Sequence, residues 1–287
     1  MMVGSLPPPD AGRLLSITSP LIAAAGIGAA WLYWRGVRVL VARGRRWPVS
    51  RSAAFAAGIT CAVYGLGSGL ADYDDASFAL HMIQHLLLGM LAPLLLAASG
   101  LVTLALQSAP APSRRGLRWL LHTRVAQVLT QPLTGFSLFV SALVMSVWPP
   151  AARLAIQNDA FHAYLHLHLL CAGAALWWPA IGVDRVLRAR PGASFLAVVG
   201  MIPVHAFVAV SLLTAVSPVG GTPFLQIARG WSFDPMADQR AGAAALWIGG
   251  ELVTIVAAAL VGRRWYLADR RAAARVDRRL RSELELA

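Results

Sequence analysis

The chain has 287 residues, of which 57% are hydrophobic and only 13% are charged. Soluble globular proteins carry roughly 25% charged residues, so this composition excludes an ordinary soluble domain and indicates an integral membrane protein. The net charge of +12 comes from arginines clustered between apolar runs, a distribution that reports membrane orientation rather than nucleic-acid binding. The two cysteines, Cys61 and Cys171, lie inside apolar runs and are too few to indicate a disulfide framework.

Seven apolar runs approach the length of about 20 residues that a transmembrane helix requires. They predict an all-α fold, a polytopic helical bundle in the membrane. The first run has most of its arginines after it rather than before it, so we interpret it as a retained span rather than a signal peptide. The third is expected to be followed by an interfacial turn after Gly100. The runs are Thr18–Trp34, Ser52–Ala71, Phe78–Ala98, Gln131–Trp148, Phe161–Ile181, Ser194–Ser217 and Ala241–Val261.

Arginine is distributed unequally between the two sides of this predicted bundle. The segments after runs one, three and five, together with the C-terminal tail, contain 21 of the 25 arginines. Because cytoplasmic segments are the arginine-rich ones, the N-terminus is predicted outside and the C-terminus in the cytoplasm. The acidic run ADYDD, residues 71–75, is then external.

The chain is predicted to divide into a seven-span domain, residues 1–262, and a basic helical tail, residues 263–287. The tail is rich in alanine, arginine, leucine and glutamate. We interpret its arginines as contacts with anionic lipid headgroups at the cytoplasmic face rather than with nucleic acid.

Two histidine pairs lie at the same predicted depth. His81 and His85 fall in the outer third of the third run, and His162 and His166 fall in the outer third of the fifth. In each pair the i, i+4 spacing places both imidazoles on one face of a helix. Neutral imidazole binds copper, zinc and iron without adding charge. The alternative is that each histidine hydrogen-bonds a neighbouring helix, but two matched pairs favour a metal site shared by two helices.

Three further side chains could extend this site. His205 lies near the middle of the sixth run, two residues after Pro203, and an ionisable group at membrane depth is a functional candidate. His168 follows His166 by two residues and therefore points to nearly the opposite face. Met82 could supply sulfur, although methionine in an apolar span more often fills space.

Polar residues of the seventh span and the segment before it form a second group on the same side. Asp238 is placed to cap this helix, and Gln239 could reach across the mouth of the histidine site. Glu251 is the carboxylate nearest the middle of a span. It could carry a proton or balance the charge of a metal, and a hydrogen bond to a neighbouring helix is the alternative.

Three segments together carry a family resemblance. They are HMIQHLLLGMLAPLLL from His81, FHAYLHLHLLCAGAALWWP from Phe161 and ADQRAGAAALWIGGE from Ala237. They resemble the CtaG-like cytochrome c oxidase assembly factors, bacterial polytopic proteins distinct from the single-span copper-delivery proteins that share the name. The resemblance covers roughly spans two to seven. After DQ this chain has AALW, where the family usually has a bulkier glycine–methionine–tryptophan element.

The resemblance implies a multi-pass protein of the bacterial inner membrane that helps to mature a haem–copper oxidase. It implies a role in supplying or protecting copper, oxidase subunits as partners and no enzymatic activity. Together with the histidine pairs it predicts copper ligation by His81, His85, His162 and His166, with His205 as a further candidate. Three alternatives stay open. They are a redox subunit that holds a b-type haem, a copper transport or tolerance protein that uses the same ligands, and a scaffold that only contacts oxidase subunits.

Overall fold

The computed structural model describes residues 6–285, and the regular secondary structure of this part of the chain is all helical, without a β-strand. The all-α prediction is therefore confirmed. The helices are α1 (Ala11–Leu15), α2 (Pro20–Ala42), α3 (Val49–Gly67), α4 (Gly69–Asp72), α5 (Phe78–His85), α6 (Ala92–Ala98), α7 (Leu101–Ser108), α8 (Ala111–Leu121), α9 (Arg124–Leu129), α10 (Pro132–Val147), α11 (Pro149–Gln157), α12 (Asp159–Ile181), α13 (Pro191–Val199), α14 (Met201–Leu213), α15 (Gly221–Leu225) and α16 (Pro235–Glu285).

Among the described residues, five helical segments are long and apolar enough to cross a membrane. A sixth is added if α10 and α11, which are bent by 69° where they meet, form one broken span. The first predicted run lies in α2, which is not one of these segments. The prediction of a helical protein with several membrane-spanning candidates is thus confirmed, whereas the count of seven and the orientation of the termini stay predictions. The five segments are Val49–Gly67, Phe78–Ala98, Asp159–Ile181, Pro191–Leu213 and Pro235–Val276.

A π-helical turn, Leu86–Leu91, interrupts the third predicted span between α5 and α6. Pro93 has no N–H, so the carbonyl group of Gly89 lacks its usual donor four residues later in the helix. The indole Nε1 of Trp177 in α12 donates to this carbonyl oxygen at 3.2 Å. A Cβ atom at Gly173 would overlap the same oxygen, so α12 lies directly against the interrupted helix. These contacts align the two helices that carry the histidine pairs.

The turn expected after Gly100 is confirmed. Gly100 adopts a φ of +68°, a left-handed conformation that favours glycine, and α7 begins at the next residue. Asp184, from the loop after α12, accepts the backbone N–H groups of Val102 and Thr103 at 3.3 and 2.7 Å. This carboxylate therefore caps α7 and ties it to the end of α12.

Helix α16 continues without a break to Glu285, so the basic segment that follows the seventh predicted span extends the same helix. Its Arg264 donates to the carbonyl oxygens of Pro179, Ala180 and Ala189, at the end of α12 and in the loop beyond it. Since the last carbonyls of a helix lack partners within the helix, this guanidinium satisfies the end of α12.

Candidate metal centre

The two histidine pairs meet as a ladder of four rings. Within α5 the ring centroids of His81 and His85 are 4.1 Å apart, and within α12 those of His162 and His166 are 4.5 Å apart. Between the helices, His81 is 5.5 Å from His162, and His85 is 5.9 Å from His166. The helices therefore run in the same direction and hold both pairs at matched depth, as the sequence predicts.

Asp74, from the loop between α4 and α5, adds a carboxylate to three of these histidines. One donor atom from each of Asp74, His81, His162 and His166 lies within 4.8 Å of all the others. Oδ2 of Asp74 is 3.6 Å from Nε2 of His162 and 3.7 Å from Nε2 of His166. Burial raises the pKa of Asp74 to about 7, although the neighbouring His162 favours the ionised form. His85 lies outside this four-donor set, one turn along α5 from His81.

Asp75 contacts the second nitrogen of the His162 ring. Its Oδ1 is 3.1 Å from Nδ1 of His162, and its side chain is 41% exposed. A carboxylate that accepts the Nδ1 proton leaves Nε2 free to bind a metal, the usual arrangement of metal-binding histidines. Asp75 thus orients His162 while facing the solvent.

Several nitrogen atoms of the cluster have no hydrogen-bond partner among the described residues. They include Nε2 of His162, Nε2 of His166 and Nδ1 of His85, all of them buried. Buried polar atoms are nearly always paired, and the two Nε2 atoms face the same carboxylate oxygen. A cation bound by three imidazoles and one carboxylate would satisfy both Nε2 atoms together. This donor set suits divalent copper or zinc. The residues present therefore fit a metal ion.

A cavity of ≈ 40 Å³ borders Asp74, Asp75, His81 and His162. A space of about 10–15 Å³ is enough for one water molecule, so this cavity accommodates an ion with a few waters. Pockets for organic cofactors measure roughly 300–1,000 Å³. The volume next to the rings favours a small cation over a haem.

Asp238 caps a different helix from the one expected. Its carboxylate accepts the hydroxyl of Ser77 at 2.7 Å and the backbone N–H of Phe78 at 2.6 Å, at the start of α5. The cap of α16 is Asp234, whose Oδ1 accepts the N–H groups of Met236 and Ala237. The prediction that Asp238 caps its own helix was therefore wrong, because the ends of α5 and α16 lie side by side. Asp238 instead fixes the start of the helix that carries His81.

Gln239 is buried and closes the loop after α14. Its Nε2 donates to the carbonyl oxygen of Leu212 at 3.1 Å, and its Oε1 accepts the N–H of Val219 at 2.8 Å. Both polar ends of this side chain are thus paired with the backbone. Gln239 therefore closes this loop. The prediction that it reaches across the mouth of the histidine site is wrong.

The remaining predicted residues of α5 and α14 lie in apolar surroundings. Met82 is fully buried and packs in a hydrophobic cluster that includes Leu143 and Leu246. His205 is also fully buried, and its ring meets Phe139 edge-on at 6.4 Å. Both ring nitrogens of His205 lack a partner within the described part of the chain. Neither residue belongs to the four-donor set.

His168 and Glu251 lie apart from the four donors as well. The ring of His168 stacks on Tyr164 at 5.8 Å and lines an apolar groove beside α8 and α9, together with Cys171. Glu251 is partly exposed on α16, and its Oε1 has no hydrogen-bond partner among residues 6–285.

Asp74 is the cluster member that sequence reasoning missed. It belongs to the acidic run ADYDD, which the arginine distribution placed outside, on the side where the histidine pairs lie. The shared predicted side of the membrane could have linked Asp74 to the histidines, because a loop residue seven positions before His81 must lie close to the start of α5.

Gln84 was also missed by the sequence analysis. Its buried Nε2 donates to the carbonyl oxygen of Gly65 at 2.8 Å and joins α5 to α3.

Comparisons with known proteins place this chain in a family. A family model described as cytochrome c oxidase caa3 assembly factor matches residues 31–268. Uncharacterized proteins of Mycobacterium bovis and Mycobacterium tuberculosis are each 34% identical over 286 residues, covering 96% of this chain and 43% of the relative. One of Mycobacterium leprae is 31% identical over 284 residues, covering 94% and 43%. The chain thus spans less than half the length of these curated relatives. No solved structure matches it.

The family match extends over most of the chain and includes both histidine-bearing helices and the start of α16. It covers every segment on which the resemblance in the sequence rested. The chain belongs to the cytochrome c oxidase caa3 assembly factor family.

Proposed function

We propose that this chain binds copper at Asp74, His81, His162 and His166 and supplies it to a haem–copper oxidase during assembly. The family supports the role in oxidase assembly. The observation that carries the copper site is the convergence of four donor atoms within 4.8 Å. Copper is then cargo, and the protein binds and releases it without a catalytic step.

The proposal includes a topology. Seven spans with the N-terminus outside and the C-terminus cytoplasmic would place the cluster near the outer surface of the bacterial inner membrane. The arginine distribution supports this orientation. Residues 1–262 would form the membrane domain, and the arginines after residue 262 would contact anionic lipid headgroups. The protein would contact oxidase subunits on the outer side, where a copper ion would leave the cluster.

The cluster combines an exposed entrance with a buried interior. Asp75 is 41% exposed, whereas Asp74 is 6% exposed. A hydrated cation would first meet the carboxylate of Asp75 and then exchange water for imidazole nitrogen. Because Asp74 is the one proposed ligand that lies on a loop, a local movement of the residue 73–77 loop would open the site while α5 and α12 stay in place.

The haem-binding alternative has less support. A porphyrin must lie between its two axial histidines, and the space beside the rings is ≈ 40 Å³. Haem also absorbs strongly in the visible region, so a spectrum of the purified protein directly distinguishes haem binding from copper binding.

Deletion of the gene tests the proposed role. We expect oxidase activity and the copper content of the oxidase to fall while the oxidase polypeptides are still made. Excess external copper should restore part of the activity, because mass action can replace a delivery protein but not a catalytic subunit. The double variant His81→Ala/His162→Ala should resemble the deletion, since one ligand from each helix is lost.

A matched control is His122→Ala, a histidine of the exposed turn after α8 that lies outside the cluster. It should complement the deletion fully. Normal copper occupancy of the oxidase in the deletion strain would contradict delivery and would favour a scaffold that contacts oxidase subunits.

A further inference from the structure

A groove of ≈ 740 Å³ lies between α2, α7 and α8, and none of the four proposed copper ligands lines it. Pockets for drug-sized ligands measure roughly 300–1,000 Å³, so the groove has room for a long apolar chain. One wall of the groove is a single face of α2, because the lining residues recur every three or four positions along that helix. These residues are Ala29, Leu32, Tyr33, Gly36, Val39 and Arg43.

The deeper part of the groove is apolar. The ring of Tyr33 stacks on that of Phe55 with the centroids 3.9 Å apart, and both side chains are buried. The Tyr33 hydroxyl donates to the carbonyl oxygen of Ser99 at 3.3 Å and accepts the indole N–H of Trp47 at 3.0 Å, so the fold already uses it. Leu32 also lines the groove, and its side chain is 62% exposed. An apolar chain in the groove would cover this side chain.

One end of the groove is basic. Ala29 and Arg43 are 14 positions apart in the sequence, which corresponds to about 21 Å along α2 at 1.5 Å per residue. Arg35 and Arg43 both line the groove. The guanidinium of Arg35 lies 5.4 Å from the ring of Trp31, and Nη1 of Arg43 donates to the carbonyl oxygen of Gln107 at 2.9 Å. Since a guanidinium has five N–H donors, both arginines can still bind an anion.

The start of α8 contributes further donors to the basic end. Pro110 and Ser113 line the groove, and α8 begins at Ala111 without a hydrogen bond from a capping side chain. The first N–H groups of a helix lack partners within the helix and favour a phosphate group. Ser113 adds a hydroxyl. These donors lie beside the same groove as the two arginines.

The positive charge of these arginines is not balanced within the helices that form the groove. Residues 20–67 and 86–121 contain no aspartate or glutamate. Neither arginine forms an ion pair with any side chain that the structure describes. The carboxylate that contacts α7 is Asp184, and it already accepts two backbone N–H groups of α7 and the indole N–H of Trp178. The basic end therefore suits an anionic group from outside the chain.

We propose that this groove binds one anionic phospholipid, with an acyl chain along α2 and the phosphate between Arg35, Arg43 and the start of α8. An apolar groove with a basic end matches an amphiphile with an anionic headgroup. Helix α2 packs against α3, a candidate membrane span, so bilayer lipid is at hand. The site differs from the lipid contacts proposed for the tail, because it holds the chain as well as the headgroup. It does not depend on the proposed copper site, and either proposal can fail alone.

The test measures lipid retention by the full-length protein in detergent, using native mass spectrometry. The two probes are phosphatidylglycerol and phosphatidylcholine with the same acyl chains. The wild type should prefer phosphatidylglycerol, and Arg35→Gln/Arg43→Gln should lower this preference about tenfold or more, as expected for two arginines at an anionic headgroup. The control Arg46→Gln/Arg118→Gln changes the net charge equally at exposed positions outside the groove. It should keep the preference.

A second variant fills the groove without changing the charge. Ala105 lines the groove on α7, so Ala105→Phe should displace the acyl chain and lower the retention of phosphatidylglycerol. Ala53→Phe, at an exposed position of α3 outside the groove, should retain the lipid. The unfolding temperature of each variant checks its fold.

Three results would overturn the proposal. The first is equal retention of the two lipids by the wild type. The second is an equal loss of preference in both double variants, which would indicate general surface charge instead of a site. The third is normal retention of phosphatidylglycerol by the folded Ala105→Phe protein, which would show that the groove is not occupied.

Discussion

The indole N–H of Trp177 donates to the carbonyl oxygen of Gly89 at 3.2 Å, where Pro93 removes the N–H group four residues later that usually donates to it. Trp177→Phe keeps most of the buried ring but removes the donor. An unpaired buried acceptor costs about 1–3 kcal/mol, so the variant should unfold at a lower temperature and bind copper more weakly. Thermal unfolding in detergent measures this. Trp119→Phe, at a side chain 72% exposed on α8, should have no effect.

Gly173 sets the distance between the two histidine-bearing helices. A methyl group there would overlap the carbonyl oxygen of Gly89, so Gly173→Ala must push α12 away from the interrupted helix. Overpacking of this kind costs about 1–3 kcal/mol and should widen the ladder, which weakens metal binding as well as the fold. Gly28→Ala is the matched control, because a Cβ at Gly28 meets no atom within 4 Å. It should stabilise α2 by about 0.5–1 kcal/mol, and a loss of stability in both variants alike would contradict the packing argument.

The two carboxylates next to His162 should differ in their effect on copper affinity. Asp75 acts by orienting the ring, so Asp75→Asn should weaken binding about 10–100-fold, as such supporting contacts do. Asp74→Asn removes a donor of the set and should weaken binding of divalent copper further. Competition titrations with a chelator measure both affinities. Asp72→Asn, at a carboxylate that accepts from Thr18 at 3.1 Å outside the cluster, should bind copper normally. If the Asp74→Asn variant and the wild type bind copper with equal affinity, Asp74 is not a ligand.

The arginine distribution predicts which loops an impermeant thiol reagent can reach in intact cells. With both native cysteines replaced, Ser232→Cys in the loop before α16 should be labelled, because that loop is predicted outside. Gly116→Cys in α8 should be labelled only after the cells are permeabilised. Both positions are exposed in the structure, so accessibility within the fold does not differ. The opposite labelling pattern would invert the depth assigned to every histidine.

The sequence predicts the ladder because both histidine pairs are local patterns. A spacing of i, i+4 fixes ring direction within one helix, and arginine-rich loops fix which pairs share a depth. Together these two rules predict two imidazole pairs at the same depth, one on each of two helices. The apolar runs likewise predicted the helices, since length and hydropathy are properties of single segments.

What the sequence did not predict depends on contacts between distant segments. Asp238 caps α5 rather than α16 because the two helices start side by side, although Asp238 and Phe78 are 160 residues apart in the chain. Asp74 joins the cluster because its loop lies against the first turns of α12. The 69° bend between α10 and α11 is marked locally by Pro149 and Pro150, yet their presence alone does not give its size.

Helix α16 touches both histidine-bearing helices, and at opposite ends. Asp238 contacts the start of α5, while Arg264 contacts the end of α12. The two residues are 26 positions apart, which corresponds to about 39 Å at 1.5 Å per residue and exceeds the thickness of a bilayer core. Because one continuous helix contacts both, any tilt of α16 would act at once on the start of α5 and on the end of α12, the two helices that hold the imidazoles.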